Sequence, residues 1–155
     1  MIHVLNKRQV VPAGIRECWR FFSDPHNLSK ITPPGLDFQV LSELPDEIHE
    51  GMMIEYRVRP LLGIPMTWLT EITHVRGPHY FVDEQRVGPY ALWHHEHEFV
   101  DMPDGRTELV DRIHYILPFS PLSDITHALL VAPQLKTIFE YRIAAVEKIF
   151  GAGPR

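Results

Sequence analysis

Only one cysteine, Cys18, stands in 155 residues. No disulfide can form within the chain, and the composition suits a reducing compartment. Long apolar runs are missing too: nothing approaches the roughly 18–20 residues of a membrane span, and Met1–Val10 is too polar for a signal peptide. The expectation is a cytoplasmic protein without stable membrane insertion. Clustered positive charge is also lacking. Fifteen Lys plus Arg face twenty Asp plus Glu, a net charge of −5, which is the wrong sign for gripping phosphates and removes nucleic acid as a partner. No repeat, low-complexity tract or Gly/Ser linker divides the chain, so a single domain over residues 1–155 is expected. A domain of this size buries roughly 68–70% of its unfolded surface and needs no structural metal to fold. Nucleophile motifs and cofactor fingerprints are absent as well.

Proline and histidine are plentiful. Fourteen prolines, about twice the usual share, punctuate the chain, and four of its ten histidines fall between His94 and His114. The segment Ile2–Val11 reads as a strand ending at Pro12. Ile15, Cys18, Trp19 and Phe22 follow at helical spacing, and Ser23-Asp24-Pro25 supplies a stop and then a new N-cap with proline at the first helical position. From Asp37 to Leu117 the period is two. Segments Asp37–Leu44, Met53–Arg59, Met66–Val75, Tyr80–Val87, Ala91–Met102 and Arg106–Leu117 read as an antiparallel meander. After Pro118 helical spacing returns: Leu135, Ile138, Phe139, Ile143, Val146, Ile149 and Phe150 form a stripe ended by Gly151. Pro133 separates this long helix from a shorter one around Leu122–Val131, or kinks it. The class is α+β: a curved antiparallel sheet of about seven strands against a long C-terminal helix, with two short helices after the first strand.

Alternation assigns side chains to sheet faces. Trp93, His95, His97 and Phe99 share one face, with His94, Glu96 and Glu98 on the other. Leu109, Asp111, Ile113, Tyr115 and Leu117 share a face opposite Val110, Arg112 and His114. Around the hairpin at Pro103-Asp104-Gly105, pairing Phe99 with Asp111 and His95 with Tyr115 puts both apolar sets inward. Glu98 then faces Arg112, and Glu96 faces His114, across an odd loop or bulge. Asp83 and Gln85 alternate inward with Phe81, and Arg142 falls inside the helix stripe. Charged groups in a dry core cost several kcal/mol unless paired. Any one of them could be a satisfied structural residue, but Asp83, Gln85, His95, His97 and Asp111 together suggest the polar floor of a cavity.

The run Val11-Pro12-Ala13, then Phe22-Ser23-Asp24-Pro25-His26-Asn27-Leu28, Thr32-Pro33-Pro34, Gly88-Pro89, Trp93-His94-His95-Glu96-His97-Glu98-Phe99, Asp111-Arg112, Tyr115, Leu117-Pro118-Phe119 and Ile138-Phe139-Glu140-Tyr141-Arg142 resembles the START-like SRPBCC superfamily. Within it the chain is similar to bacterial polyketide cyclase/dehydrase-like and ligand-binding proteins. The resemblance spans nearly the whole chain. It implies a helix-grip fold, with the sheet wrapped around the C-terminal helix and a mostly apolar cavity that takes lipids, polyketides, quinones or similar molecules. The same fold serves carriers, sensors and some enzymes.

Binding of a hydrophobic small molecule with a polar end is the leading expectation. Trp68, Phe81, Trp93, Phe99, Ile113, Phe139 and Ile143 would contact its body, and His95, His97, Asp111, Gln85 and Arg142 its head, with access past Leu61, Leu62 and Ile64. A cyclase or dehydratase is the alternative, with Asp111 orienting His95 or His97 as a general base and Tyr115 or Arg142 stabilising an oxyanion. Two histidines at i, i+2 with an inward carboxylate also contain the elements of a metal triad. That spacing arises easily in a histidine-rich strand, so neither metal nor cofactor is assigned. A water-filled structural cluster in an interaction module is the remaining reading. The expected state is a monomer or weak homodimer.

Overall fold

The computed structural model describes residues 1–61, 63–118 and 127–153. Strand β1 (His3–Val11) leads to helix α1 (Ile15–Phe22) and two 3-10 turns, Pro25–Ile31 and Pro34–Leu36. Strands β2 (Gln39–Val40), β3 (Met53–Leu61), β4 (Ile64–Arg76), β5 (Tyr80–Val87), β6 (Leu92–Asp101) and β7 (Thr107–Ile116) follow, then a π-helical turn (His127–Val131) running into helix α2 (Ala132–Phe150). All seven strands form one antiparallel sheet in the order β1-β7-β6-β5-β4-β3-β2.

Local chemistry accounts for the boundaries. Helix α1 buries Ile15, Cys18 and Trp19 on one face, with Glu17 in its first turn and Arg20 in its last, as the helix dipole favours. Asp24 caps the first 3-10 turn by accepting the His26 N–H at 2.9 Å, and Pro25 needs no N–H partner there. Pro133 lies just after the π-helical turn, whose wider winding suits a residue that donates no backbone hydrogen bond. The shorter helix expected at Leu122–Val131 is described only from His127 onward; residues 122–126 lie outside the described segments.

Two expectations need correction. The segment Asp37–Leu44 forms a ladder with β3 only at Gln39 and Val40, after which the Leu41 N–H still donates to the Glu55 carbonyl at 2.8 Å. Its backbone is turned by Asp37, at φ +46, whose carboxylate is held by Arg59 at 2.9 Å. The β6–β7 register also differs from the expected one by two residues: His97 faces Asp111, His95 faces Ile113, Phe99 faces Leu109 and Trp93 faces Tyr115. On the outer face Glu96, not Glu98, pairs with Arg112, at 2.9 Å, and His94 faces His114. The turn decides this. Pro103-Asp104-Gly105 forms a three-residue loop closed by the Met102 N–H to the Arg106 carbonyl at 2.9 Å, with Gly105 at φ +79. The expected register would place Pro103, which has no N–H, opposite Thr107 in the ladder.

The inner face and α2 hold two apolar clusters. One gathers Trp19, Phe81, Phe99, Leu109 and Val146; the other gathers Trp93, Ile113, Tyr115, Leu135 and Phe139. His95 and His97 on β6, Asp111 on β7 and Arg142 on α2 each lie between a residue of one cluster and a residue of the other along their own element. A polar layer therefore crosses the interior at the middle of three elements.

Candidate functional site

Strand alternation brings His95 and His97 to the inner face of β6, Asp83 to that of β5 and Asp111 to that of β7. The two imidazoles lie against each other with centroids 3.8 Å apart and planes tilted by 33°. On one side the Asp83 Oδ2 lies 2.6 Å from His97 Nε2 and 3.5 Å from His95 Nδ1. On the other, Asp111 Oδ1 lies 2.9 Å from His95 Nε2 and 3.1 Å from His97 Nδ1. Arg142 reaches in from α2, its Nη2 donating to Asp111 Oδ1 at 3.2 Å while its guanidinium rests over the Phe22 ring at 5.3 Å. Four ring nitrogens thus face two carboxylates.

The electrostatics follow from this enclosure. Burial would raise Asp111, but Arg142, His95 and His97 outweigh it and hold its carboxyl well below the usual range. Burial acts the same way on Asp83, where His95, His97 and Arg142 lower the result. Burial and the neighbouring His97 depress His95, despite its carboxylate partners. For His97, burial would lower the imidazole, and the bonds to Asp111 and Asp83 overcome it and raise the pKa. The two rings are pushed apart, His97 toward its charged form and His95 toward its neutral form, and with Arg142 the former supplies charge that balances the carboxylates.

Beside this layer lies a cavity of about 220 Å³ between the sheet and α2. Of the sequence-derived candidates, Trp68, Phe81, Asp83, Trp93, His95, His97, Phe139 and Arg142 line it. Phe99 and Asp111 instead border a much smaller crevice shared with His97 and Arg142. Gln85 is engaged elsewhere: its amide donates to the Tyr90 carbonyl at 2.7 Å and accepts the Tyr90 N–H at 3.2 Å. Gly88 permits this, because a Cβ there would lie 2.4 Å from the Gln85 Oε1. Ile113 is fully buried in the core and Tyr115 bonds His127 at 2.6 Å; neither lines the cavity, nor does Ile143, whose carbonyl accepts from Gln9. At the expected access route Pro60 lines the cavity and Ile64 is exposed, while Leu62 lies outside the described residues.

Several lining residues were not anticipated. Tyr56 on β3 and Thr70 on β4 share a hydrogen bond of 2.5 Å, and burial together with Asp83 pushes the Tyr56 phenol far up, so it stays protonated. The alternation of Ile54, Tyr56 and Val58 along β3, all lining the cavity, was a usable signal. Tyr90, in the β5–β6 connection, carries no periodicity to read. Trp68 has a further property: among the described residues, its indole Nε1 is the buried side-chain nitrogen or oxygen without a hydrogen-bond partner.

No protein-family model and no curated protein matches the chain. Solved structures do. A protein from Chromobacterium violaceum superposes with a TM-score of 0.70 at 12% identity, covering 97% of this chain and 99% of that one. A norcoclaurine synthase point mutant from Thalictrum flavum, in complex with a transition-state analogue, gives 0.67 at 13% identity over 96% and 97%. The protein Ara h 8.0201 gives 0.61 at 11% identity over 96% and 99%. The chain shares the fold of these structures, a helix grip in which one antiparallel sheet packs around a long C-terminal helix. The cavity between the sheet and the long helix is the space beside the histidine–aspartate layer. No helix among the described residues is long and apolar enough to cross a membrane.

Proposed function

We propose that this protein binds a compact hydrophobic small molecule, with its apolar body against the aromatic walls and its polar end at the histidine–aspartate layer. The observation that carries this reading is the cavity itself, about 220 Å³ between sheet and helix, with Trp68, Tyr90, Trp93 and Phe139 on its walls and Asp83, His95 and His97 at its polar side. Its volume falls below the ~300–1,000 Å³ usual for small-molecule pockets, which favours a ring-sized body over a long acyl chain. The unpartnered Trp68 N–H supports the same reading, because an acceptor oxygen on a bound molecule would satisfy it.

Titration with anilinonaphthalene sulfonate, followed by its fluorescence, tests the site. Saturable binding that Ile138→Trp abolishes by filling the cavity, and that Leu129→Trp on the exposed surface leaves unchanged, is the expected result. Binding indifferent to Ile138→Trp would place the apolar site elsewhere. Trp68→Phe, which removes the unpartnered donor, should weaken carbonyl-bearing aromatic ligands more than their hydrocarbon analogues.

A further inference from the structure

We infer that Asp83, His95 and His97 form a binding site for one divalent first-row transition metal, with an open coordination position toward the cavity. This stands independently of whether an organic molecule occupies that cavity. Three donor atoms, one from each residue, lie within 4.8 Å of one another, and all three residues line the cavity. Two imidazoles and one carboxylate suit zinc, iron or cobalt and not calcium or magnesium, which take oxygen donors. Three protein ligands leave a position for water or for an oxygen of a cavity ligand.

The arrangement around these residues carries the inference further than the donor set alone. With the ion on the Asp83 side, its ligands are the Asp83 carboxylate, His97 Nε2 and His95 Nδ1. The opposite nitrogens, His95 Nε2 and His97 Nδ1, then both donate to the single Asp111 oxygen, at 2.9 and 3.1 Å. Metal-bound histidines characteristically hand their second N–H to a carboxylate, which fixes the tautomer and the ring plane. Asp111 does this for two rings at once, and Arg142 anchors it through Nη2 at 3.2 Å, the same nitrogen lying 3.4 Å from His97 Nδ1. For tetrahedral bonds of about 2.0–2.2 Å the donor atoms stand roughly 3.3–3.6 Å apart. The Asp83–His97 contact, now 2.6 Å, must open by up to about an ångström, while the Asp83–His95 separation of 3.5 Å already fits. On binding, the ion replaces the proton held between Asp83 and His97, and that proton leaves to solvent.

The test uses full-length protein without a histidine tag, stripped by EDTA and titrated with Co²⁺ while its visible d–d absorption is followed. One equivalent per chain is expected, displaced by Zn²⁺. Asp83→Asn and His95→Gln should each weaken Co²⁺ binding by at least about 100-fold, and Asp111→Asn by about 10–100-fold with the stoichiometry kept. His94→Ala, whose side chain lies on the outer face against Glu84, should change it less than about two-fold. Circular dichroism checks that each variant is folded. Should the buried variants not fold, ¹⁵N spectra of the wild-type imidazoles decide the matter: Zn²⁺ should shift the His95 and His97 ring nitrogens and leave His94 and His114 unmoved. Absence of a saturable band, loss of binding on His94→Ala, or shifts confined to His94 and His114 would each overturn the site.

Discussion

Asp111 shows how much rests on single charged groups inside this protein. Its Oδ1 meets His95, His97 and Arg142 within 3.2 Å, with only 14% of its side chain exposed. Removing the guanidinium would leave a buried carboxylate short of a partner, and such a loss costs about 3–5 kcal/mol. Arg142→Met should therefore lower the urea-unfolding free energy by about that amount. The Arg112–Glu96 pair has the same chemistry at 2.9 Å, but with 40% and 21% of the side chains exposed. Arg112→Met should cost no more than about 1 kcal/mol. Equal effects of the two substitutions would contradict the charge balance assigned to the interior layer. That Arg142 faces inward was legible from its place between Phe139 and Val146 in an apolar stripe. Tyr56 is harder to read, because the alternation of Ile54, Tyr56 and Val58 along β3 groups them on one face without saying that this face lines a cavity.

At the scale of elements, the β6–β7 hairpin separates what alternation can decide from what it cannot. Which side chains point inward follows from a period of two. Registers that differ by two residues share the same inward set, so His97 opposite Asp111 could not be chosen by face alone. The three-residue turn at Pro103–Gly105 makes that choice, through the proline's missing N–H and the positive φ of Gly105. Gly105→Ala should destabilise by about 1–2 kcal/mol in equilibrium unfolding, while Gly35→Ala, at a turn with open space and no positive φ, should be close to neutral. Gln85 marks another limit of periodicity. Its strand position faces inward, but near the end of β5 its amide folds onto the Tyr90 backbone, a loop contact that alternation does not encode.

For the whole molecule, two apolar clusters with a charged layer between them describe an interior built for more than stability. A layer of five ionisable groups adds little to folding that well-packed apolar side chains would not supply, and it borders a cavity whose opposite walls are aromatic. The antiparallel meander and the long helix were legible in the sequence because both depend on patterning over many residues, whereas the pairing of β1 with β7 is a long-range contact that no local pattern encodes. The cavity was legible only as an inference from inward charges, since its shape depends on how α2 and the first 3-10 turn seat against β3 and β4. Native mass spectrometry of the gently extracted protein tests that reading most directly. A bound apolar compound, released on unfolding and absent from Ile138→Trp, is the predicted result. The bare chain mass, with no small aromatic molecule able to restore an adduct, would contradict it.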